Sequence, residues 1–530
     1  MMQKLKNYPV SFVKVIFGYS LYITLIFNYP LVRKLNNFFD ISPGHLELFE
    51  YFFFFLVILT ILSLLSILLF ILGTRYLLKP LVLFLLMSSA IITYYKNTYG
   101  ISVDEGIIAS LFDAIVERNL GEIRDLLNIK LFLLVLITAL IPSLPLFFIK
   151  IEYPKIMKEY VLRFSYTAGM IVILLGLIAS NYKDVSLTAR ANKQLNQDAI
   201  PLYSVSSLFN VIKHSLKAKR TYTKLDEQPA LLDPEEEIVG VVIVGETARA
   251  DHFSLNGYPR KTNPNLEKKN IVNYSDAYSC GTLTKVSVPC MFYLGNYDSY
   301  REQDARYKAN LLDVISKASA DVTWVENNSG CKHICDRVKL IDLTKILNKE
   351  NYDEKLLPIL DKILKNNKRK RILIVLHAMG SHGPKYFERY PSEFDKFKPS
   401  CKSNNPQECS RQELINAFDN TILYTDHFVN LVIEKLEQQK KKSFLIYASD
   451  HGESLGEHGL YLHGVPRKFA PKEQIHIPWI LWFSDLYKES RSFKTLDVKT
   501  TISHEYYPHT ILDAMKIKSK YFKKEKSLIQ

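Results

Sequence analysis

The stretch Ile238-Val-Gly-Val-Val-Ile-Val244, running on into Gly245, Glu246 and Thr247, decides how the C-terminal part of this chain folds. It is short, β-branched and apolar, and it ends at a glycine followed by a carboxylate. Four more such runs follow, Val322 to Val325, Ile372 to Leu376, Phe444 to Ala448 and Ile480 to Phe483. Longer polar stretches compatible with helices separate them. Strands alternating with helices predict an α/β domain on a largely parallel sheet.

The residues after each run carry the chemistry. Val325 leads into Glu326, Asn327 and Asn328; Leu376 into His377 and then His382; Ala448 into Ser449, Asp450, His451, Gly452 and Glu453. In open α/β sheets the loops at strand C-termini converge on one crevice, so these side chains are expected in a single site. Glu246, Asp450, His451, His382 and His463 make a mixed oxygen and nitrogen set of the kind that suits zinc.

Toward the N-terminus the pattern changes. Residues 183–237 are polar, with basic residues at Arg190, Lys193, Lys213, Lys217, Lys219 and Arg220, and read as a connector that is either solvated or laid on an anionic membrane surface. Before it, Tyr51 to Gly73 runs 23 residues without a charge, enough at about 1.5 Å per residue to cross a hydrocarbon core of about 30 Å. Comparable stretches are Ser11 to Asn28, Leu77 to Tyr95, Leu131 to Ile149 and Phe164 to Tyr182. Residues 1–182 are therefore expected to form a transmembrane domain with five spans. Lys and Arg resist translocation, and they cluster at Lys4, Lys6 and Lys14, at Arg75 and Lys79, and at Lys150, Lys155 and Lys158. Those segments are expected in the cytoplasm, which leaves residues 238–530 as a domain on the far side.

The cysteines bear on the same question. All six (Cys280, Cys290, Cys331, Cys335, Cys401, Cys409) follow the spans, as three sequence-local couples. An oxidising compartment and disulfides are implied. Fifteen pairings are open to six cysteines, and nearness favours 280 with 290, 331 with 335 and 401 with 409. A cysteine metal site would want Cys-x-x-Cys spacing, which is absent. The first couple encloses Thr282 and Thr284. A threonine hydroxyl is a poor nucleophile unaided, but a bound dication lowers the pKa of water from about 15.7 to about 7 and should help an alkoxide likewise. Whether either threonine is such a group, or both are turn and cap residues, stays open on spacing alone.

With 530 residues, 48% hydrophobic and 23% charged, the chain is neither a minimal binding module nor disordered. Its net charge of +14 suits anionic lipid, and an exported domain without a nucleic-acid motif is not expected to bind nucleic acid. The basic tail from Lys516 to Lys526 reads as a solvated helix face or a frayed end.

Gly245 to His252 with Asn256, Gly257 and Tyr258, then Cys280 to Met291, Met379 to Pro384, Ser449 to His458 and His463-Gly464 resemble the phosphoethanolamine transferases that modify lipid A, including the mobile colistin-resistance type. The resemblance implies a five-helix transmembrane domain followed by an alkaline-phosphatase-like, sulfatase-type catalytic domain in the periplasm of a bacterial inner-membrane protein. It implies zinc held by Glu246, Thr284, Asp450 and His451, with Thr284 as nucleophile. His382 and His463 match residues near a second zinc or the phosphoethanolamine group, and Asn328, Ser329 and Lys332 match a substrate-contacting stretch. The implied reaction moves phosphoethanolamine from phosphatidylethanolamine to lipid A, lipooligosaccharide or core sugar through a phosphoethanolamine-threonine intermediate, releasing diacylglycerol. A monomer is expected.

Two places depart from the family pattern. Where members typically carry Asn, Thr and Glu on successive helical turns, this chain offers Ala114, Arg118 and Glu122, and Lys285 follows Thr284 where small residues are common. The rival readings are a phosphoglycerol transferase or a hydrolase of the same superfamily, and a membrane-anchored scaffold without activity. A sulfatase proper would need Cys-x-Pro-x-Arg, whereas Cys280 is followed by Gly, Thr and Leu.

Overall fold

The structure, a computed structural model, describes residues 9–32, 47–116, 124, 126–180, 195–216, 222–225, 227–295, 297–344, 352–403, 406–490 and 494–529. Arg118 and Glu122 lie outside them. The chain divides into two compact units, Met1–Ala109 with Leu127–Lys217, and Ser110–Leu126 with Ala218–Gln530.

In the first unit, four helices are long and apolar enough to cross a membrane, along Phe55–Leu72, Leu78–Tyr99, Ile129–Phe148 and Ile156–Gly176. A fifth apolar helix, Phe12–Phe27, has 16 residues and reaches about 24 Å at about 1.5 Å per residue. Among the described residues four apolar helices thus reach spanning length where five spans are expected, and the first apolar helix is shorter. Pro142 lacks the N–H that would serve the Thr138 carbonyl. The chain answers with a π-helical turn at Leu136–Leu140, and the Tyr22 hydroxyl donates to that carbonyl at 3.1 Å.

The last long helix, Ile156–Ser180, starts ahead of the expected Phe164 because its polar first turns are satisfied internally. Arg163 donates to Glu159 at 2.9 Å and to the Phe70 and Gly73 carbonyls at 2.7 and 2.8 Å, capping the end of helix Glu47–Leu72. The expected connector also holds more regular structure than its polarity suggests. It contains helix Leu202–Leu216 and strand Ala230–Leu231, the latter paired with Ile517–Lys518. Asn28 brackets the Ile200 backbone, donating to its carbonyl and accepting from its N–H, each at 2.8 Å.

The second unit is built on an eight-stranded sheet. In chain order its strands are β1 Ile238–Gly245, β2 Ile271–Tyr278, β3 Asp321–Glu326, β4 Lys339–Asp342, β5 Arg371–His377, β6 Ser443–Ser449, β7 His476–Phe483 and β8 Ile502–Ser503. Across the sheet the order is β8-β2-β7-β6-β1-β5-β3-β4. Only β7 runs against the others. Every residue of β1 is buried, as a central strand covered on both faces requires.

Alternation sorts the strand residues to two sides. Val239, Val241 and Ile243 pack with Ile374 and with helices Leu356–Asn366 and Arg411–Gln438, while Val242 and Val244 pack with Val375 and with helices Leu311–Lys317 and Tyr506–Ala514. Each such buried side chain contributes about 1.5–3 kcal/mol. Because β1, β3, β5 and β6 point the same way, the loops after them open on one edge.

The cysteines pair as nearness favoured, Cys280–Cys290, Cys331–Cys335 and Cys401–Cys409. The basic tail is not frayed. Lys516, Lys524 and Lys526 pair with Glu236, Asp513 and Glu505, and Leu528 and Ile529 are fully buried, so apolar burial and ion pairs hold the end in place.

Candidate active site

β1 ends at Gly245 and hands Glu246 to the edge; β6 ends at Ser449 and delivers Asp450 and His451 beside it. One ligand atom from each of these three residues falls within 4.8 Å of the others, and all three residues are buried. Thr284 is the first residue of the short helix Thr284–Met291. Its hydroxyl lies 3.1 Å from Glu246 Oε2 and 3.3 Å from His451 Nε2. The hydroxyl of Thr282 turns the other way, donating to the Val465 carbonyl at 2.7 Å. Of the two threonine hydroxyls, it is that of Thr284 that faces Glu246 and His451.

Neighbours fix the orientation of each group. The Glu246 carboxylate accepts from the Thr247 hydroxyl on Oε1 and from Asn328 Nδ2 at 2.8 Å on Oε2. Asp450 Oδ1 accepts from the Thr247 and His451 backbone N–H groups at 3.1 and 2.7 Å. Thr247 spans the two carboxylates at φ 59°, a left-handed conformation that a β-branched residue rarely adopts. His451 Nδ1 donates to the Gly452 carbonyl at 2.9 Å, which leaves the lone pair on Nε2 facing the two carboxylates. Burial, then His463, pushes the His451 pKa down to about 3, so the ring is neutral.

This set fits a dication. Burial, then the Glu246 charge, pushes the Asp450 carboxyl well above its usual range, and Asp450 Oδ2 has no hydrogen-bond donor. Two buried carboxylates facing one imidazole lone pair are short of positive charge. Oxygen and nitrogen donors in this number suit zinc, with Glu246, Asp450, His451 and the Thr284 hydroxyl as the holding residues.

A family model described as phosphoethanolamine transferase EptA/EptB matches residues 61–216, and one described as sulfatase matches residues 239–517. The phosphoethanolamine transferase EptA of Escherichia coli strain K12 is 34% identical over 473 residues, 86% of this chain and 86% of that protein. The chain belongs to the phosphoethanolamine transferase family. The phosphatidylethanolamine transferase Mcr-1 of Escherichia coli is 36% identical over 460 residues, 83% of each chain. Among solved structures, the integral membrane protein lipooligosaccharide phosphoethanolamine transferase A of Neisseria meningitidis matches with a TM-score of 0.91 at 31% identity, covering 98% of both chains. This phosphoethanolamine transferase family member is accordingly an enzyme with an N-terminal membrane domain and a sulfatase-type soluble domain.

Other expected site residues fall at varying remove. The His463 ring lies 4.3 Å from that of His451, and the His382 ring 5.7 Å from that of His463. Lys332 donates to the Ser329 carbonyl at 2.6 Å. Among the described residues no hydrogen bond or ion pair joins Ser329 or Lys332 to the Glu246 cluster. Asn328, expected against substrate, donates from Nδ2 to Glu246 and to the Ala378 carbonyl, at 2.8 Å each, while its Oδ1 has no hydrogen-bond partner.

Sequence reading assigned no individual role to several contributors in this family member. Fully buried Glu453 has no hydrogen-bond donor on either oxygen and lies 3.6 Å from His463 Nδ1; its place two residues after His451 was the available signal. Buried Asp353 accepts from the Met379 and Gly380 N–H groups at 2.7 and 2.9 Å and from Asn327 at 2.9 Å, tying the loop after β3 to that after β5. Gly380, at φ 51°, lies against the Glu246 backbone, where a Cβ would collide. These depend on loops far apart in sequence, and no local pattern announces them.

Proposed function

We propose that this chain transfers phosphoethanolamine from phosphatidylethanolamine to lipid A or lipooligosaccharide, with Thr284 as the covalent carrier and zinc as cofactor. The observation that carries the reading is the Thr284 hydroxyl aimed at Glu246 Oε2 and His451 Nε2 within a buried, charge-deficient donor set. The relatives' names and the five apolar helices support it. Five spans over residues 1–182, a connector over 183–237 and a periplasmic catalytic domain over 238–530, in the inner membrane, complete the proposal.

Zinc bound by Glu246, Thr284, Asp450 and His451 would favour the alkoxide and neutralise charge on the phosphoryl oxygens. Thr284 Oγ1 attacks phosphorus, a Thr–O–P bond forms and the P–O bond to diacylglycerol breaks. His382 or His463 relays the proton that Thr284 Oγ1 loses to the leaving oxygen, and in the second step returns the acceptor's proton to Thr284. An acceptor oxygen then attacks the same phosphorus, the Thr–O–P bond breaks and Thr284 is restored. Asn328 and Thr247 keep Glu246 in place through both steps. Lys332 supplies positive charge to a substrate phosphate.

The test uses full-length protein in detergent with fluorescent phosphatidylethanolamine. Wild type should release diacylglycerol, a chelator should stop it, and Thr284→Ala should release none. Intact mass should show a phosphoethanolamine adduct on wild type without acceptor. Release by Thr284→Ala at the wild-type rate would refute the reading.

A further inference from the structure

The reading above needs the Thr284 hydroxyl held at a fixed distance from the His451 and Glu246 atoms, yet these groups arrive on different parts of the chain. Asp450 and His451 follow β6, whereas Thr284 follows β2, and β7 lies between those two strands. Something must set the spacing across β7. Besides the Thr284–His451 contact itself, the His504 side chain joins the two arms.

His504 leaves the edge strand β8, which pairs in parallel with β2, and its N–H donates to the Tyr278 carbonyl at 3.2 Å. The fully buried ring then reaches inward. Nε2 lies 3.0 Å from the Ser449 carbonyl, an acceptor only, so Nε2 carries the hydrogen. Nδ1 is left as an acceptor, and the Cys280 N–H donates to it at 3.3 Å. Ser449 is the residue before Asp450; Cys280 opens the disulfide loop that contains Thr284. The main chain of His504 also reaches the other end of that loop, because the Tyr297 hydroxyl lies 2.7 Å from both the His504 and the Cys290 carbonyl oxygens. Cys280 is thus held by the His504 ring, Cys290 shares the Tyr297 hydroxyl with the His504 main chain, and the ring is hung on the backbone beside the ligand pair.

We infer that His504 is a positioning residue that sets the separation between the Thr284 hydroxyl and the Asp450–His451 arm, a role that rests on the proposed function. Only the neutral ring can serve, since a second N–H would meet the Cys280 donor. Burial, with Arg467 nearby, holds the His504 pKa down to about 3, so this state persists at neutral pH. The ring touches neither substrate nor donor atoms. Its loss therefore acts on the geometry of attack, where a displacement of about 1 Å costs on the order of 10²-fold.

The experiment compares His504→Ala, His504→Gln and His504→Asn with wild type in the full-length enzyme. Diacylglycerol release gives kcat and KM, metal analysis gives zinc per chain, and intact mass gives the rate of adduct formation on Thr284. His504→Ala should lose about 100-fold in kcat, with KM and zinc content within about twofold of wild type. Glutamine keeps a donor for Ser449 and asparagine an acceptor for Cys280, so each should recover part of the loss. If alanine prevents folding, the glutamine and asparagine variants decide, with an expected kcat loss of at least about fivefold at unchanged zinc content. A kcat within about threefold of wild type in a folded His504→Ala would overturn the inference, as would, where alanine does not fold, a loss under about fivefold in both the glutamine and asparagine variants, and so would zinc and activity falling in step. Absence of any adduct on wild type would instead remove the proposed function itself.

Discussion

Replacing Thr247 by valine keeps the shape of a buried, β-branched residue and deletes one hydroxyl. That hydroxyl donates to Glu246 Oε1, while the backbone N–H of the same residue holds Asp450 Oδ1 at 3.1 Å and survives the change. A hydrogen bond to a charged acceptor is worth about 1.5–3 kcal/mol. At about 1.4 kcal/mol per decade, zinc affinity or kcat should fall about 10- to 150-fold. Thr247→Ser should stay near wild type. Thr247→Gly separates the hydroxyl from the backbone strain: it removes a left-handed cost of about 1–2 kcal/mol at φ 59° and returns about 0.5–1 kcal/mol to the unfolded chain. Glycine and valine should therefore match in zinc affinity while glycine melts higher. Competition with a chromogenic chelator on the full-length protein reads affinity, and a thermal melt reads stability. A valine variant that binds zinc and turns over within about threefold of wild type would show that the hydroxyl does not orient Glu246.

Asp450→Asn keeps the acceptor for the Thr247 and His451 N–H groups but removes a ligand charge; zinc per chain should drop to background in metal analysis while the melt stays cooperative. The double change Cys280→Ser with Cys290→Ser opens a loop of sequence separation 10 and should cost about 3 kcal/mol, read as a lower melting temperature that reductant lowers further only through the two remaining disulfides. Burial alone would raise the Glu236 pKa, but Lys442, Lys516 and Arg371 outweigh it and hold the group at about 2 against an ordinary value of 4.5. Its folded pKa is depressed, so its stabilisation is present above pH 4.5 and is lost as pH falls toward 2. Glu236→Gln should therefore melt below wild type at neutral pH, with the gap closing across that window; a gap of constant size would count against the assignment.

The buried strands were legible because five β-branched runs have no other reading between polar stretches, and each became part of β1, β3, β5, β6 or β7. The edge strand β8 and its neighbour β2 were not. β2, Ile271-Val-Asn-Tyr-Ser-Asp-Ala-Tyr278, mixes polar and apolar residues as a half-buried strand does, and β8 is two residues long. Glu246, Asp450 and His451 were readable as carboxylates and an imidazole at strand ends, and the structure brings them together with Thr284. The inward turn of Asn328 and the ring of His504 were invisible, because both side chains answer to partners 50 or more residues away. The helix Leu202–Leu216 hid in a polar segment because its contacts are made by Ser204 to the Val103 carbonyl as well as by apolar residues.

The cysteines join across separations of 10, 4 and 8 residues, whereas Thr284 meets Glu246 across 38 and His451 across 167. The covalent staples are therefore local affairs, available as soon as each segment emerges during synthesis. The donor set is the opposite. Until β6 has docked beside β1 there is a lone carboxylate and nothing to share an ion with. Any metal the set takes up would load last, after oxidation, and a chain stalled between Cys409 and Asp450 would carry all three staples without its donor set.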